Sequence, residues 1–131
     1  MTSSELCQRT RITQRELQWW SDTGVIAATR TAAGRQFDDD QAVVAAIVAE
    51  LRLKGVSLHR IRTLHIRRPQ GEYLVIGRGV TGMTVSCWCS EHTVIERVAE
   101  CPGACLVVSV EDLRKRLYDQ DPPRFSRRSR N

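Results

Sequence analysis

Over roughly the first 70 positions apolar residues recur at helical spacing, and after that they switch to short runs and alternation. Thr2 and Glu5 have capping-box spacing ahead of Leu6 and Cys7, which predicts a first helix. Thr13-Gln14-Arg15-Glu16 repeats the signature: Thr13 can cap the third amide while Glu16 reaches back to the Thr13 amide. This second helix runs through Leu17, Trp19 and Trp20 and stops near Asp22, with Gly24 free to take the left-handed closing conformation. Only Thr10, Arg11 and Ile12 separate the two helices, which is a helix-turn-helix pattern. Val25 to Phe37 has no helical period. Gly34, between Arg30 and Arg35, marks a β-hairpin or wing turning around Ala33-Gly34. Asp38-Asp39-Asp40 open a third helix, where carboxylates suit the positive helix end, and Val43, Val44, Ile47, Val48 and Leu51 follow at helical spacing. Gly55 ends it. Ser57 caps a fourth helix, Val56 staples onto Ile61, and Leu58, Ile61 and Leu64 form the apolar face. Arg60, Arg62, Arg67 and Arg68 lie on its other faces or just beyond.

Arg67-Arg68-Pro69-Gln70-Gly71 breaks the chain, and the period changes after it. Tyr73 to Ile76 is a β-rich run, and Gly77-Arg78-Gly79 with Gly82 marks a turn. Met83 to Cys89 alternates as a half-buried strand, and Ser90 starts a helix carrying Val94, Ile95 and Val98. Pro102-Gly103 turns into a third strand, Cys105 to Val110, and Glu111-Asp112 opens a last helix with Leu113 and Leu117. The expected fold is α+β: a winged helix-turn-helix over residues 1–70, a small ββαβα module over 71–120, and a basic, disordered tail over 121–131. A ββαβα unit of this size buries little core, so docking or dimerisation is expected.

Composition adds a partner. Of 131 residues 41% are hydrophobic and 27% charged, which excludes wholesale disorder. No apolar run approaches the roughly 18 residues of a membrane span, and MTSSELCQRT does not read as a secretory signal. The expected location is the cytoplasm, with five cysteines as reduced thiols or metal ligands. The net charge of +5 is unevenly spread. Residues 1–70 carry eleven basic and seven acidic groups, 71–123 five and eight, and 124–131 four basic groups and no acid. Basic ends around an acidic middle suit a chain with a nucleic-acid end and a separate module behind it.

Leu6-x-x-x-Thr10-x-Ile12, Glu16-Leu17-Gln18-Trp19-Trp20, Gly24-Val25-Ile26, Arg30…Gly34-Arg35-Gln36-Phe37 and Leu53-Lys54-Gly55-Val56-Ser57-Leu58-His59-Arg60-Ile61 stand in a distinctive order. In order and spacing this set resembles the DNA-binding domain of the MerR family over roughly residues 3–66. The resemblance implies a winged helix-turn-helix regulator that binds double-stranded DNA, commonly as a homodimer. The chain departs from the family in three places. Gln18-Trp19-Trp20 stands where the family has Arg followed by two Tyr, and the Arg and first Tyr there hold phosphates. Arg11 replaces the family's Gly before Ile12. Pro69 and Gly71 follow the fourth helix where the longer members continue into a dimerising helix.

The candidate DNA contacts follow from groove chemistry. Gln14 and Arg15 occupy the first turn of the recognition helix, the part that reaches base edges, where Arg suits guanine and Gln suits adenine. Leu17 and Trp20 share one face and belong in the core, so Gln18 and Trp19 point towards DNA. Arg30 and Arg35 flank the wing turn, where cations meet phosphates or a narrow minor groove. His59 and Arg60 are weaker candidates. Cys87-Trp-Cys89 and Cys101-Pro-Gly-Ala-Cys105 raise a metal or thiol-redox alternative, since four thiolates can hold zinc tetrahedrally. Their C-x-C and C-x3-C spacings differ from the common knuckle, and small buried side chains explain them as well; no metal or other cofactor is expected. No nucleophile–base arrangement points to an enzyme. Gly77-Arg78-Gly79-x-x-Gly82 joins two strands instead of opening a helix, so it lacks the context of a dinucleotide site. The reading is a sequence-specific regulator of transcription whose second module dimerises or takes a protein or small-ligand effector. An excisionase-like architectural protein and a thiol-based metal or redox sensor are the alternatives.

Overall fold

The computed structural model describes residues 1–79 and 81–119. The basic tail lies outside the described residues. The elements run α1 (Ser3–Thr10), α2 (Gln14–Asp22), β1 (Thr29–Thr31), β2 (Gly34–Gln36), α3 (Asp39–Leu53), α4 (Leu58–Leu64), β3 (Tyr73–Arg78), β4 (Thr84–Cys89), α5 (Val94–Glu100), β5 (Leu106–Ser109) and α6 (Val110–Tyr118). Helices and two small antiparallel sheets make a mixed α+β fold.

Side chains fix the helix ends. Thr2, Thr13 and Asp38 each accept from the amide three residues on, and Glu5, Glu16 and Gln41 return the bond to the capping residue. Those bonds to Thr2 hold the Glu5 carboxyl below its usual range. Two helices close with the same motif. After α2, Gly24 N–H donates to Ser21 O and Val25 N–H to Trp20 O; after α3, Gly55 N–H donates to Arg52 O and Val56 N–H to Leu51 O. Gly24 and Gly55 take φ of +80° and +86°, which explains glycine at both positions. α1 closes on Arg11 with φ of 60°, a left-handed residue with a long side chain.

Helix α3 is the axis of the molecule. Its apolar stripe was legible, but Ala42, Ala45, Ala46 and Ala49 are buried as well. The helix is enclosed because α1 covers one side and α6 another, and alanine lets both approach closely. A single hydrophobic cluster therefore takes in Leu6, Leu17, Trp20, Phe37 and Ile47 together with Leu74, Ile76, Val108, Leu113 and Leu117. Polar bonds seal the contact: Arg9 Nη1 donates to Leu117 O at 2.5 Å, Arg114 pairs with Asp39, and Arg116 lies 3.7 Å from Glu50.

The second sheet has the order β4-β3-β5, antiparallel throughout. Its alternation gives it two unlike faces. Leu74 and Ile76 of β3, with Trp88 opposite on β4 and Val108 and Leu106 on β5, face α3 and α6. Tyr73, Val75 and Gly77, with Cys89, Cys87 and Val85 opposite, face the other way, where α5 packs on β3 and β4.

Several boundaries differ from the sequence reading. Thr10 is the last residue of α1, so the turn between the first two helices is Arg11 to Thr13. The first hairpin turns at Ala32-Ala33, one residue early, because Thr31 Oγ1 accepts from Ala33 N and Gly34 already pairs with Thr31. Ser90 does not start a helix: Ser90 to Thr93 is a turn in which Thr93 Oγ1 accepts from Ser90 N, and α5 begins at Val94. β4 begins at Thr84, not Met83. Cys105 and Val110 lie outside β5, because Ser109 caps α6 by accepting from Asp112 N and turns the chain into the helix one residue before Glu111.

Candidate nucleic-acid interface

Helix α2 is held by its two ends and by its inward side. Thr13 Oγ1 accepts from Glu16 N at 3.0 Å and Glu16 Oε1 accepts from Thr13 N at 3.0 Å, so Glu16 is committed to the cap. Leu17 and Trp20 are buried in the common core, which fixes the helix's rotation about its axis. That rotation leaves Gln14, Arg15, Gln18 and Trp19 on the outer side, all exposed. The contrast between adjacent tryptophans is the clearest statement of the orientation: Trp20 is 2% exposed and Trp19 59%. Among the described residues Arg15 has no ion-pair partner, so its guanidinium is available to a polyanion.

The hairpin of β1 and β2 is tied to the end of α2 by Asp22. Its Oδ1 lies 2.5 Å from Arg35 Nη2 and 3.9 Å from Arg30 Nη2. The two arginines differ in standing. Arg30's side chain is 77% exposed and projects from the hairpin, whereas Arg35's is 17% exposed and its Nε is buried without a hydrogen-bond partner. Sequence proximity grouped Arg30 and Arg35 as equals; the fold brings both to Asp22 but leaves only Arg30 reaching outward. The base of the hairpin is braced from the other side, where Phe37 N–H donates to Met1 O at 2.8 Å and Thr2 bridges Gln36.

Asp22 was missed by the sequence reading. Its signal was an acid in the last turn of a helix, where the dipole disfavours it, on a surface otherwise rich in arginine. Arg11, at the turn between α1 and α2, is exposed. Arg60, Arg62, Arg67 and Arg68 are exposed on and after α4, and His59 is exposed with them.

The cysteines lie elsewhere. Cys7 is buried in α1, where burial pushes its thiol up. Cys87 and Cys89 bring their Sγ atoms to 3.9 Å on the outer face of the second sheet, and Cys101 and Cys105 lie beside Gly77 on the same face. All five are free thiols. Among the described residues no three His, Cys, Asp or Glu side chains already stand in a metal-holding arrangement.

Two helices joined by a three-residue turn, the second capped, rotated by its core contacts and bare of acids on its outward middle, define a helix-turn-helix DNA-binding protein. This part of the chain belongs to the MerR family: residues 1–65 match the family model described as MerR HTH family regulatory protein. No curated protein matches the chain. The family makes it a double-stranded DNA-binding regulator of transcription. Among the described residues no helix is long and apolar enough to cross a membrane.

Proposed function

We propose that the chain is a sequence-specific transcriptional regulator in which residues 1–70 read DNA as a winged helix-turn-helix. In this reading α2 lies in the major groove. Gln14 and Arg15 meet base edges, Gln18 and Trp19 donate to phosphates, and Arg30 follows the backbone from the hairpin as a wing. Arg35 serves the interface through Asp22, setting the hairpin's angle to α2. The observation that carries the reading is the rotation of α2: Leu17 and Trp20 are buried while Arg15 stands exposed without an ion pair among the described residues. An Arg bidentate to guanine is worth about 1–3 kcal/mol of discrimination.

Residues 71–120 are proposed to serve assembly or an effector. After α4 the described residues hold no helix longer than the nine residues of α6, so in this reading the dimer contact is made without a long antiparallel helix pair among them. The protein acts in the cytoplasm, at the nucleoid, as a homodimer formed through this second part, since a linked second site multiplies the weak affinity of one domain. The same lack of a long helix favours a second reading, an architectural protein that bends DNA. Selection of bound duplexes from a random pool, followed by bending assays on permuted fragments, separates the two. A defined preferred sequence supports the regulator. Binding without sequence preference but with a strong bend supports the architectural reading.

A further inference from the structure

The outer face of the second sheet is built unlike the inner one. Val75 and Cys89 are buried there, yet they stand apart from the common hydrophobic cluster. Helix α5, which covers them, contributes no fully buried side chain, and its Ile95 is 78% exposed. It has seven residues and no side-chain cap at its start. A helix of that length does not hold by itself in water.

What lies beneath α5 is sulfur. Cys87 and Cys89 point from β4 with their Sγ atoms 3.9 Å apart. Cys101 and Cys105 come down from the loop behind α5 onto Gly77. A Cβ placed there would stand 3.1 Å from Cys101 Sγ and 3.4 Å from Cys105 Cβ, so glycine is what lets this loop approach the sheet. Gly77 pairs with Val85 and Val75 with Cys87, so Gly77, on which Cys101 and Cys105 rest, stands one cross-strand diagonal from Cys87, roughly 7–8 Å between Cα atoms.

We propose that Cys87, Cys89, Cys101 and Cys105 bind one thiophilic divalent metal ion of the zinc class, which fastens α5 and the loop behind it to β4. Four thiolates about 2.3 Å from such an ion lie roughly 3.8 Å from one another, which is the spacing Cys87 and Cys89 already have. A disulfide needs its sulfurs at about 2.05 Å, and two residues on the same face of one strand are poorly placed for that. Binding turns the Cys101 and Cys105 side chains towards β4, forms four metal–sulfur bonds and releases the four thiol protons to the buffer. This site is independent of the DNA-reading face.

The test is anaerobic titration of the reduced full-length protein with cobalt(II), followed by displacement with zinc(II). The expected result is saturation at one ion per chain with the charge-transfer and d–d bands of a tetrahedral four-thiolate centre. Cys7→Ser keeps that spectrum. Cys101→Ser shifts it and weakens zinc affinity by more than the roughly tenfold that even an outer-shell partner is worth. Absence of thiolate–cobalt bands from the wild type overturns the proposal without reliance on any variant. So does identical zinc uptake by Cys101→Ser, or a reduced protein that takes up no metal and on mild oxidation loses two hydrogens to a disulfide.

Discussion

Replacing Asp22 with alanine separates a structural role for the hairpin arginines from a purely electrostatic one. Asp22 holds Arg35 at 2.5 Å and Arg30 at 3.9 Å. Its own side chain is 48% exposed, so solvent screens the pair in part. A hydrogen bond to a charged group is worth about 1.5–3 kcal/mol when shielded, and an exposed ion pair about 0.2–1 kcal/mol. With Arg35 mostly covered and Asp22 half open, the expected cost of Asp22→Ala is about 1 kcal/mol of stability. Nearly all of it belongs to Arg35. Urea unfolding of a double-mutant cycle checks this: Asp22→Ala with Arg35→Ala should show a coupling of about 0.5–1.5 kcal/mol, and Asp22→Ala with Arg30→Ala less than about 0.3 kcal/mol. DNA affinity supplies the second arm. Removing an anion from a surface that faces phosphates would by charge alone tighten binding. Loss of the hairpin's angle would weaken it, and weakening is the expected outcome. Zero coupling to Arg35 together with tighter DNA binding would refute the latch.

Three further outcomes are expected. Arg30→Ala should weaken binding to all duplexes alike and reduce the slope of log affinity against log salt by about 1, as measured by anisotropy titration. Arg11→Gly should raise stability by about 1 kcal/mol, because Arg11 holds φ at 60° where glycine is unstrained; chemical denaturation reads the gain. Leu117→Ala, at the contact of α6 with the common core, should cost about 2–5 kcal/mol and lower the melting of the whole described chain in one calorimetric transition. Two separated transitions would show that the halves fold independently.

Local rules made much of the first half legible. The pairs Thr2 with Glu5 and Thr13 with Glu16 state helix starts outright, and Gly24 and Gly55 state helix ends, because both signals depend on neighbours in sequence. The rotation of α2 could be read from the spacing of Leu17 and Trp20, since apolar residues on one face seek the same core. What could not be read depends on partners far along the chain. The alanines of α3 look like filler until α6 is seen against them, 60 or more positions later. Arg35 looks like Arg30 until the fold sets Asp22 beside both. Ser90 carries a helix-start residue type, but the hydroxyl of Thr93 competes for its amide and makes a turn instead. That Cys101 and Cys105 rest on Gly77, on the same sheet face as Cys87 and Cys89, needs the register of β3 with β4, which their spacing in sequence does not encode.

The outward face of α2 is tested most directly by the affinity of Arg15→Ala for a selected duplex and for a scrambled duplex of the same length and composition. The account predicts a loss of about 1–3 kcal/mol on the selected duplex, a much smaller loss on the scrambled one, and relaxed preference at a single base pair. Equal affinities for wild type and variant on both duplexes would contradict it, as would an equal loss on both.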